Sequence, residues 1–424
     1  MFKNKIISSI IQASPFTAFT LLFKAIRPLV FLTIALPVIG SENFGNYVTY
    51  IATFLFIFVF SDLGFGYRFR ARGPIDPLSK KTLNLHNKQY SIHLIFTLLL
   101  SLILFSYFLL TSSLFGAISS VSYLISQFLF YQIHNYYRYT SEFTMMNIAD
   151  ITSILFQTLF VFVGCENGLI EDSFDLIMYS SIGFMLPSLF FIFYKRKSNW
   201  FIFNISLISF IKIEFKGAVD IKAKQILDIV PLTADRIIIN FILGPAAVVM
   251  FYASMTVSNI VSIITKLLGQ LTSQHLRISE KRESLDEIRS SLKILERSII
   301  FLILIFLVLI FFLQGIFIKL LDISIGLENI DLTVLLILFL NAFPMMIRQV
   351  YNDFCIANEF TSNNRIDSTI YLLSFFGLVG TIFLLDDFMI WHVAIAHLIS
   401  NIFCFMYMRY TIAKKLTYFS GELS

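Results

Sequence analysis

Long apolar runs separated by short polar segments dominate the pattern along this chain. Each run approaches or exceeds the roughly 20 residues that an α-helix needs to cross a bilayer. The runs fall near 17–39, 44–64, 91–111, 117–137, 144–164, 174–194, 218–243, 246–269, 298–318, 332–352, 366–385 and 388–408. The pattern therefore predicts an all-α, polytopic membrane protein with about twelve transmembrane helices.

A short polar motif occurs twice at identical spacing, once in each half of the chain. Its first copy is Glu142, Phe143, Thr144, Asn147 and Asp150, and its second copy is Glu359, Phe360, Thr361, Asn364 and Asp367. A weaker repeat relates Pro28, Leu29, Gly40 and Tyr47 to Pro231, Leu232, Gly244 and Tyr252. Repetition at fixed spacing indicates a duplicated unit.

We therefore predict two six-helix pseudo-repeats around a central cavity, a plan typical of transporters. The predicted boundaries are an N-terminal half at 1–199, an interfacial connector at 200–216 and a C-terminal half at 217–424. Because six helices separate the two motif copies, both copies are expected to face the same side of the membrane.

Composition and charge agree with a membrane location and set an orientation. Hydrophobic residues make up 57% of the chain and charged residues only 14%, which excludes an ordinary soluble domain. Nearly all loop lysines and arginines fall on one side of the predicted helices, and Lys319 is the single base on the other side. The positive-inside rule then places both termini in the cytoplasm.

Charged residues inside the apolar runs are the candidate functional residues. Each costs roughly 2.5 to 3.5 kcal/mol near a helix centre, so we expect them to face a watered interior. The bases are Lys24, Arg27, Arg236, Lys266 and Arg348, and the acids are Asp235 and Asp62. A cationic interior favours an anionic cargo, and phosphate matches the planar fork of arginine.

Several of these residues have a structural interpretation as well. Lys266 and Arg348 lie near the predicted cytoplasmic helix ends and could snorkel to the interface. Asp62 could be a polar group at a helix end. Asp235 and Arg236 are adjacent and so are expected to find separate partners, Asp235 serving either a structural pair or proton coupling. The acids of the repeated motif lie at predicted helix starts, where carboxylates complement the helix dipole.

The sequence contains no signature of a catalytic, metal or nucleotide site. Cys165, Cys355 and Cys404 are scattered, and the six histidines show no zinc-binding spacing. No Gly-rich phosphate-binding loop is present. We therefore predict a non-enzyme without a cofactor, metal or nucleic-acid partner.

Two segments resemble a known family. The run from Gly40 to Tyr47, followed by Ser61-Asp62-Leu63-Gly64-Phe65-Gly66, is similar to the second-helix signature of polysaccharide flippases. The run from Thr233 to Ile239, then Leu243-Gly244-Pro245 leading to Tyr252, resembles the opening of that family's second half. These O-antigen and lipid-linked oligosaccharide translocases belong to the superfamily of multidrug and toxin extruders.

The resemblance implies alternating access and a cargo of undecaprenyl-pyrophosphate carrying an oligosaccharide, moved across a bacterial inner membrane. It implies a pyrophosphate site at Lys24, Arg27, Arg236, Lys266 and Arg348, while Asp235 and Asp62 are the candidates for ion coupling. A polysaccharide polymerase and a chain-length regulator are the implied partners, beside membrane lipids. The alternatives are a cation-coupled drug or metabolite extruder of the same superfamily and a polytopic polymerase or acyltransferase.

Overall fold

All regular secondary structure in the described part of the chain is helical. The computed structural model describes residues 15–62, 80–139, 142–196, 203, 208–273, single positions between 290 and 308, 331–357, 361–384 and 388–419. Its helices are α1 (Pro15–Val59), α2 (Lys80–Thr111), α3 (Leu114–Tyr139), α4 (Phe143–Glu166), α5 (Ser173–Arg196), α6 (Ile208–Leu243), α7 (Pro245–Ser273), α8 (Leu332–Ala357), α9 (Thr361–Leu384) and α10 (Ile390–Phe419). A short 3₁₀ turn, Phe60–Asp62, follows α1.

Eight helical stretches in the described residues are long and apolar enough to cross a membrane. They include parts of α1 to α5 and of α8 to α10. The prediction of an all-helical, polytopic membrane protein is confirmed. The predicted span 298–318 lies mostly outside the described residues, and α6 begins at Ile208, inside the stretch predicted as a connector.

Two glycines interrupt the helices where the weaker sequence repeat places them. Gly40 breaks α1 with φ of 76°, and Gly244 separates α6 from α7 with φ of 85°. Positive φ is accessible to glycine at little cost and strained for other residues. The predicted spans 17–39 and 44–64 are therefore the two arms of α1.

The stronger repeat is matched by the bounds of three consecutive helices. The motif recurs at an offset of 217 residues, from Glu142 to Glu359. Moved by that offset, α3 and α4 agree with α8 and α9 to within one residue at each end, and α5 begins where α10 begins. In each trio the third helix packs against both of the others.

The chain divides into two compact units. The first unit is Arg27–Val249, and the second unit is Met1–Ile26 with Met250–Ser424. The trio α3 to α5 lies in the first unit and the trio α8 to α10 in the second. The boundaries predicted from sequence between the two halves and the connector, at 199, 216 and 217, do not coincide with the limits of these two compact units. They stay a prediction.

Candidate transport site: charges buried in the helices

A buried ion pair joins α8 to α9 in the second unit. Arg348 Nε donates to Asp367 Oδ2 at 2.7 Å, and the two side chains are 9% and 0% exposed. The guanidinium also donates through Nη1 to Asn401 Oδ1 on α10 at 3.3 Å, and it lies 4.6 Å from the Tyr371 ring centroid. Arg348 is thus held by three helices, and its charge is compensated by a carboxylate.

Amide and aromatic side chains extend this pair into a polar network. Asn401 Nδ2 donates to Asn341 Oδ1 at 2.9 Å, and Asn352 Nδ2 approaches Asp367 Oδ2 at 3.5 Å. The Tyr371 hydroxyl and His397 Nδ1 lie 2.7 Å apart. Low surrounding dielectric strengthens such bonds, so the network fixes the rotation of α8, α9 and α10 about their axes.

The first unit carries an acid at the equivalent position with a different base. Asp150 on α4 is fully buried, and its Oδ1 is hydrogen-bonded to His134 Nε2 on α3. The His134 side chain is 15% exposed and that of Asp150 is 1% exposed. His134 also packs against Phe130, with ring centroids 4.6 Å apart.

These pairs correct the interpretation of the repeated aspartates as helix-dipole partners. Asp150 lies two turns inside α4, which begins at Phe143, and pairs with the preceding helix. Asp367 does the same in α9. Glu142 is the N-cap residue of α4, but its side chain makes no capping hydrogen bond there. Tertiary pairing therefore replaces local capping at both aspartates.

A second base in the first unit has a neutral partner. Arg27 Nη1 donates to Gln157 Oε1 on α4 at 3.2 Å, and Gln157 Nε2 donates to Ser180 Oγ on α5 at 2.9 Å. Arg27 is half-buried and Gln157 is buried. Among the described residues this guanidinium is thus positioned by an amide that does not cancel its charge.

Asp235 and Arg236 on α6 contact each other. Asp235 Oδ1 accepts the backbone N–H of Arg236 at 2.6 Å and lies 3.9 Å from Arg236 Nε. The side chains are 1% and 13% exposed. Adjacent side chains do not face each other on a helix, but a short carboxylate can reach the next backbone N–H. The expectation that each residue has a separate partner stays a prediction.

The remaining predicted site residues are only partly described. Lys24 is half-buried in α1, one turn before Arg27. Lys266 lies in α7 and Asp62 in the 3₁₀ turn, but both side chains fall outside the described residues. Asp235 and Arg236 are brought together, whereas Arg27 and Arg348 belong to separate clusters in different units.

Sequence reasoning missed His134, Gln157 and Asn401, which hold the buried charges. A signal for one cluster was present, because Gln132 and Asn135 recur as Gln349 and Asn352 at the same offset as the repeated motif. The repeat therefore extends into α3 and α8, which carry these two polar residues at the same spacing. No group of three His, Cys, Asp or Glu side chains in the described part of the chain could hold a metal ion.

Comparison with solved structures identifies the class of fold. A structure described as the inward-facing conformation of a multidrug resistance MATE family transporter of the MOP superfamily matches with a TM-score of 0.73 at 11% identity, covering 96% of each chain. A structure described as the outward-facing conformation of such a transporter gives 0.60 at 12% identity, covering 98% of this chain and 97% of that chain. The Vibrio cholerae MATE transporter VcmN in its bent form gives 0.61 at 13% identity, covering 98% and 99%.

The chain therefore has the fold of MATE transporters over nearly its whole length. At these identities the similarity concerns the fold. No protein-family model matches the sequence, and no curated protein matches it.

Proposed function

We propose that this chain is a cation-coupled membrane transporter that exports an organic solute by alternating access. The observation that carries the proposal is the similarity of fold over 96% of both chains to a multidrug resistance MATE transporter. That fold is known in structures described as inward-facing and outward-facing, and both match this chain. Of the functions considered from sequence, the extruder is the one the structural neighbours favour.

Buried acids inside the helices support the cation-coupled part of the proposal. Asp150, Asp235 and Asp367 are each fully buried. Ionisable groups at membrane depth are costly and so mark ion or substrate paths by default. We assign ion coupling to Asp235 first, because its carboxylate is held beside Arg236, and to Asp62 second, from its place in the sequence.

A second candidate is the translocation of lipid-linked oligosaccharides across a bacterial inner membrane, with both termini cytoplasmic. Arg27 favours it, because a half-buried guanidinium whose described partner is a neutral amide can attract an anionic group. In this proposal Arg27, Lys24, Arg236 and Lys266 contact the pyrophosphate. Arg348 contributes less, since Asp367 already compensates its charge. A polymerase and a chain-length regulator would act beside such a carrier.

One reconstitution experiment separates the two candidates. Full-length protein in proteoliposomes is given ethidium in one arm and fluorescent undecaprenyl-pyrophosphate oligosaccharide in the other, each with and without an imposed pH or Na⁺ gradient. Gradient-driven movement of ethidium supports the extruder, and flipping of the labelled lipid supports the second candidate. Movement of neither cargo under either gradient contradicts the transport proposal.

Variants of Arg27 make the cargo assignment sharper. Arg27→Gln removes the charge, and Arg27→Lys keeps it without the bidentate fork. We expect Arg27→Gln to abolish lipid flipping and Arg27→Lys to restore part of it, at equal protein levels. Equal flipping by wild type and Arg27→Gln rules out Arg27 as a phosphate ligand. Asp235→Asn tests coupling, because an unchanged gradient response excludes Asp235 from that role.

A further inference from the structure

The repeated hairpins α3–α4 and α8–α9 keep the same acid but use different bases. Asp150 and Asp367 are equivalent at the repeat offset, yet one is paired with His134 and the other with Arg348. At that offset His134 corresponds to Tyr351, and Arg348 corresponds to Tyr131. The base has therefore moved by one helical turn along the hairpin's first helix while the acid has stayed in place.

This difference changes how each pair responds to protons. Arginine keeps its proton under physiological conditions, so the Arg348–Asp367 pair stays neutral overall. The imidazole of histidine exchanges its proton within about pH 5 to 8. With that proton the His134–Asp150 pair is neutral, and without it the pair leaves one negative charge at membrane depth. Because gain or loss of that proton changes the charge of a buried pair by one unit, occupancy by a proton alters the electrostatic energy of the hairpin.

The two members of the pair differ in exposure. The His134 side chain is 15% exposed and that of Asp150 is 1% exposed, so the imidazole is the more accessible of the two groups. His93 on α2 is already engaged, with Ser61 Oγ at 2.7 Å and Gln132 Nε2 at 2.7 Å. Several other described side chains on α3 and on the helices packed against it are titratable, as is Glu142, the N-cap residue of α4. Those on helices are His86, Lys88, Tyr90, Tyr107, Tyr123, Tyr131, Tyr136, Tyr137, Cys165, Glu166, Asp175, Tyr179 and Tyr194.

We propose that the His134–Asp150 pair is a proton-binding site of the transport cycle, and that Arg348–Asp367 is its structural counterpart, in which the base keeps its proton. One proton from water binds the imidazole, is shared with Asp150 Oδ1, and returns to water when the hairpin changes conformation. This inference rests on the proposed cation-coupled transport and names the cation as H⁺. It adds a proton-binding pair on α3 and α4 to the candidate coupling group Asp235 on α6.

The first test needs no cargo. Hydrogen–deuterium exchange of the purified full-length protein is measured near pH 6 and pH 8, with correction for the intrinsic exchange rate. We expect protection of residues 114–166 to differ between the two values in the wild type, and the difference to vanish in His134→Arg, which replaces the imidazole with a base that keeps its proton. His93→Gln is the matched control, since His93 pairs with neutral groups in the same unit, and it should keep the response.

A spectroscopic measurement covers the case in which His134→Arg fails to fold. Ring ¹⁵N signals of histidine are followed through the same pH range in the wild type, with His134 assigned by the signal lost in His134→Gln. A His134 signal that changes with pH supports the site. A signal that stays constant overturns it, as does a pH response of exchange that His134→Arg retains.

Transport measurements separate this inference from the proposed function. If a pH gradient drives ethidium or labelled lipid equally well through wild type and His134→Arg, the proton site is wrong and the transporter stands. If His134 titrates and controls exchange while no gradient moves either cargo, the transport proposal fails and the proton-binding site stands.

Discussion

Breaking the Arg348–Asp367 pair tests whether the buried network holds the second unit together. Its two members are 9% and 0% exposed and lie 2.7 Å apart, so removing one partner takes the closest opposite charge away from a buried ion. Such losses cost about 3 to 5 kcal/mol, which is a factor of roughly 150 to 5,000 in the unfolding equilibrium. We expect Arg348→Met and Asp367→Asn each to lower the free energy of unfolding by an amount in this range.

The two variants should not be equally damaging. In Arg348→Met the carboxylate of Asp367 can take up a proton, whereas in Asp367→Asn the guanidinium of Arg348 stays charged. We therefore expect Asp367→Asn to be the less stable variant. The double variant should cost less than the sum of the singles, with a coupling of about 0.5 to 3 kcal/mol, because it removes both charges at once.

Reversible unfolding of the purified protein in mixed micelles, followed by circular dichroism, measures these differences. The partly exposed pair Lys224–Asp228 is the control, because it has the same 2.7 Å separation at 19% and 29% exposure. An i,i+4 pair of that kind is worth about 0.3 to 0.5 kcal/mol, so Lys224→Met should be nearly silent. The reasoning would be refuted if Arg348→Met and Asp367→Asn lowered the free energy of unfolding as little as Lys224→Met does. It would also be refuted if the effects of the two single variants added exactly in the double variant.

Two further predictions concern packing and topology. Gly45→Ala should lower the thermal transition, because its Cβ would lie 2.0 Å from the backbone O of Pro245, while Gly377→Ala meets nothing within 4 Å and should not. Equal transitions for the two variants would show that the Gly45 contact relaxes freely. The second prediction uses single cysteine substitutions and a thiol reagent that cannot cross the membrane. Cysteines at Ser113, Asn167 and Asp386 should react from outside, and cysteines at Ser79, Ser198 and Ser284 should not. Wild type is the blank, because its three cysteines are buried. A reversed pattern at two loops would contradict the predicted orientation.

The helices were predictable because their signal is a sum over many residues. Roughly twenty apolar side chains in a row outweigh any single polar exception, so Lys24 and Arg27 did not hide α1. The break at Gly40 was also predictable, since it separates two apolar runs and glycine tolerates positive φ. Both features depend only on nearby residues, so they can be predicted without knowing how the helices pack.

The side-chain partners were not predictable, because each depends on how a helix is rotated about its axis. Asp367 is 19 residues from Arg348 on the next helix, and only the packing of α8 against α9 brings them together. Asp150 and Asp367 were assigned to helix dipoles because they followed predicted helix starts. The repeat held the missing information, since an acid kept in both copies two turns inside a helix is buried rather than capping.

Arg348, His134 and Arg27 differ in what compensates their charge, and that difference orders their roles. Arg348 has a carboxylate partner and is neutralised at every physiological pH, which suits a structural element. His134 has a carboxylate partner but can release its proton, which suits coupling to a gradient. Arg27 has an amide partner and keeps an uncompensated charge among the described residues, which suits contact with an anionic cargo. A cationic interior alone does not distinguish these roles; the partner of each base does.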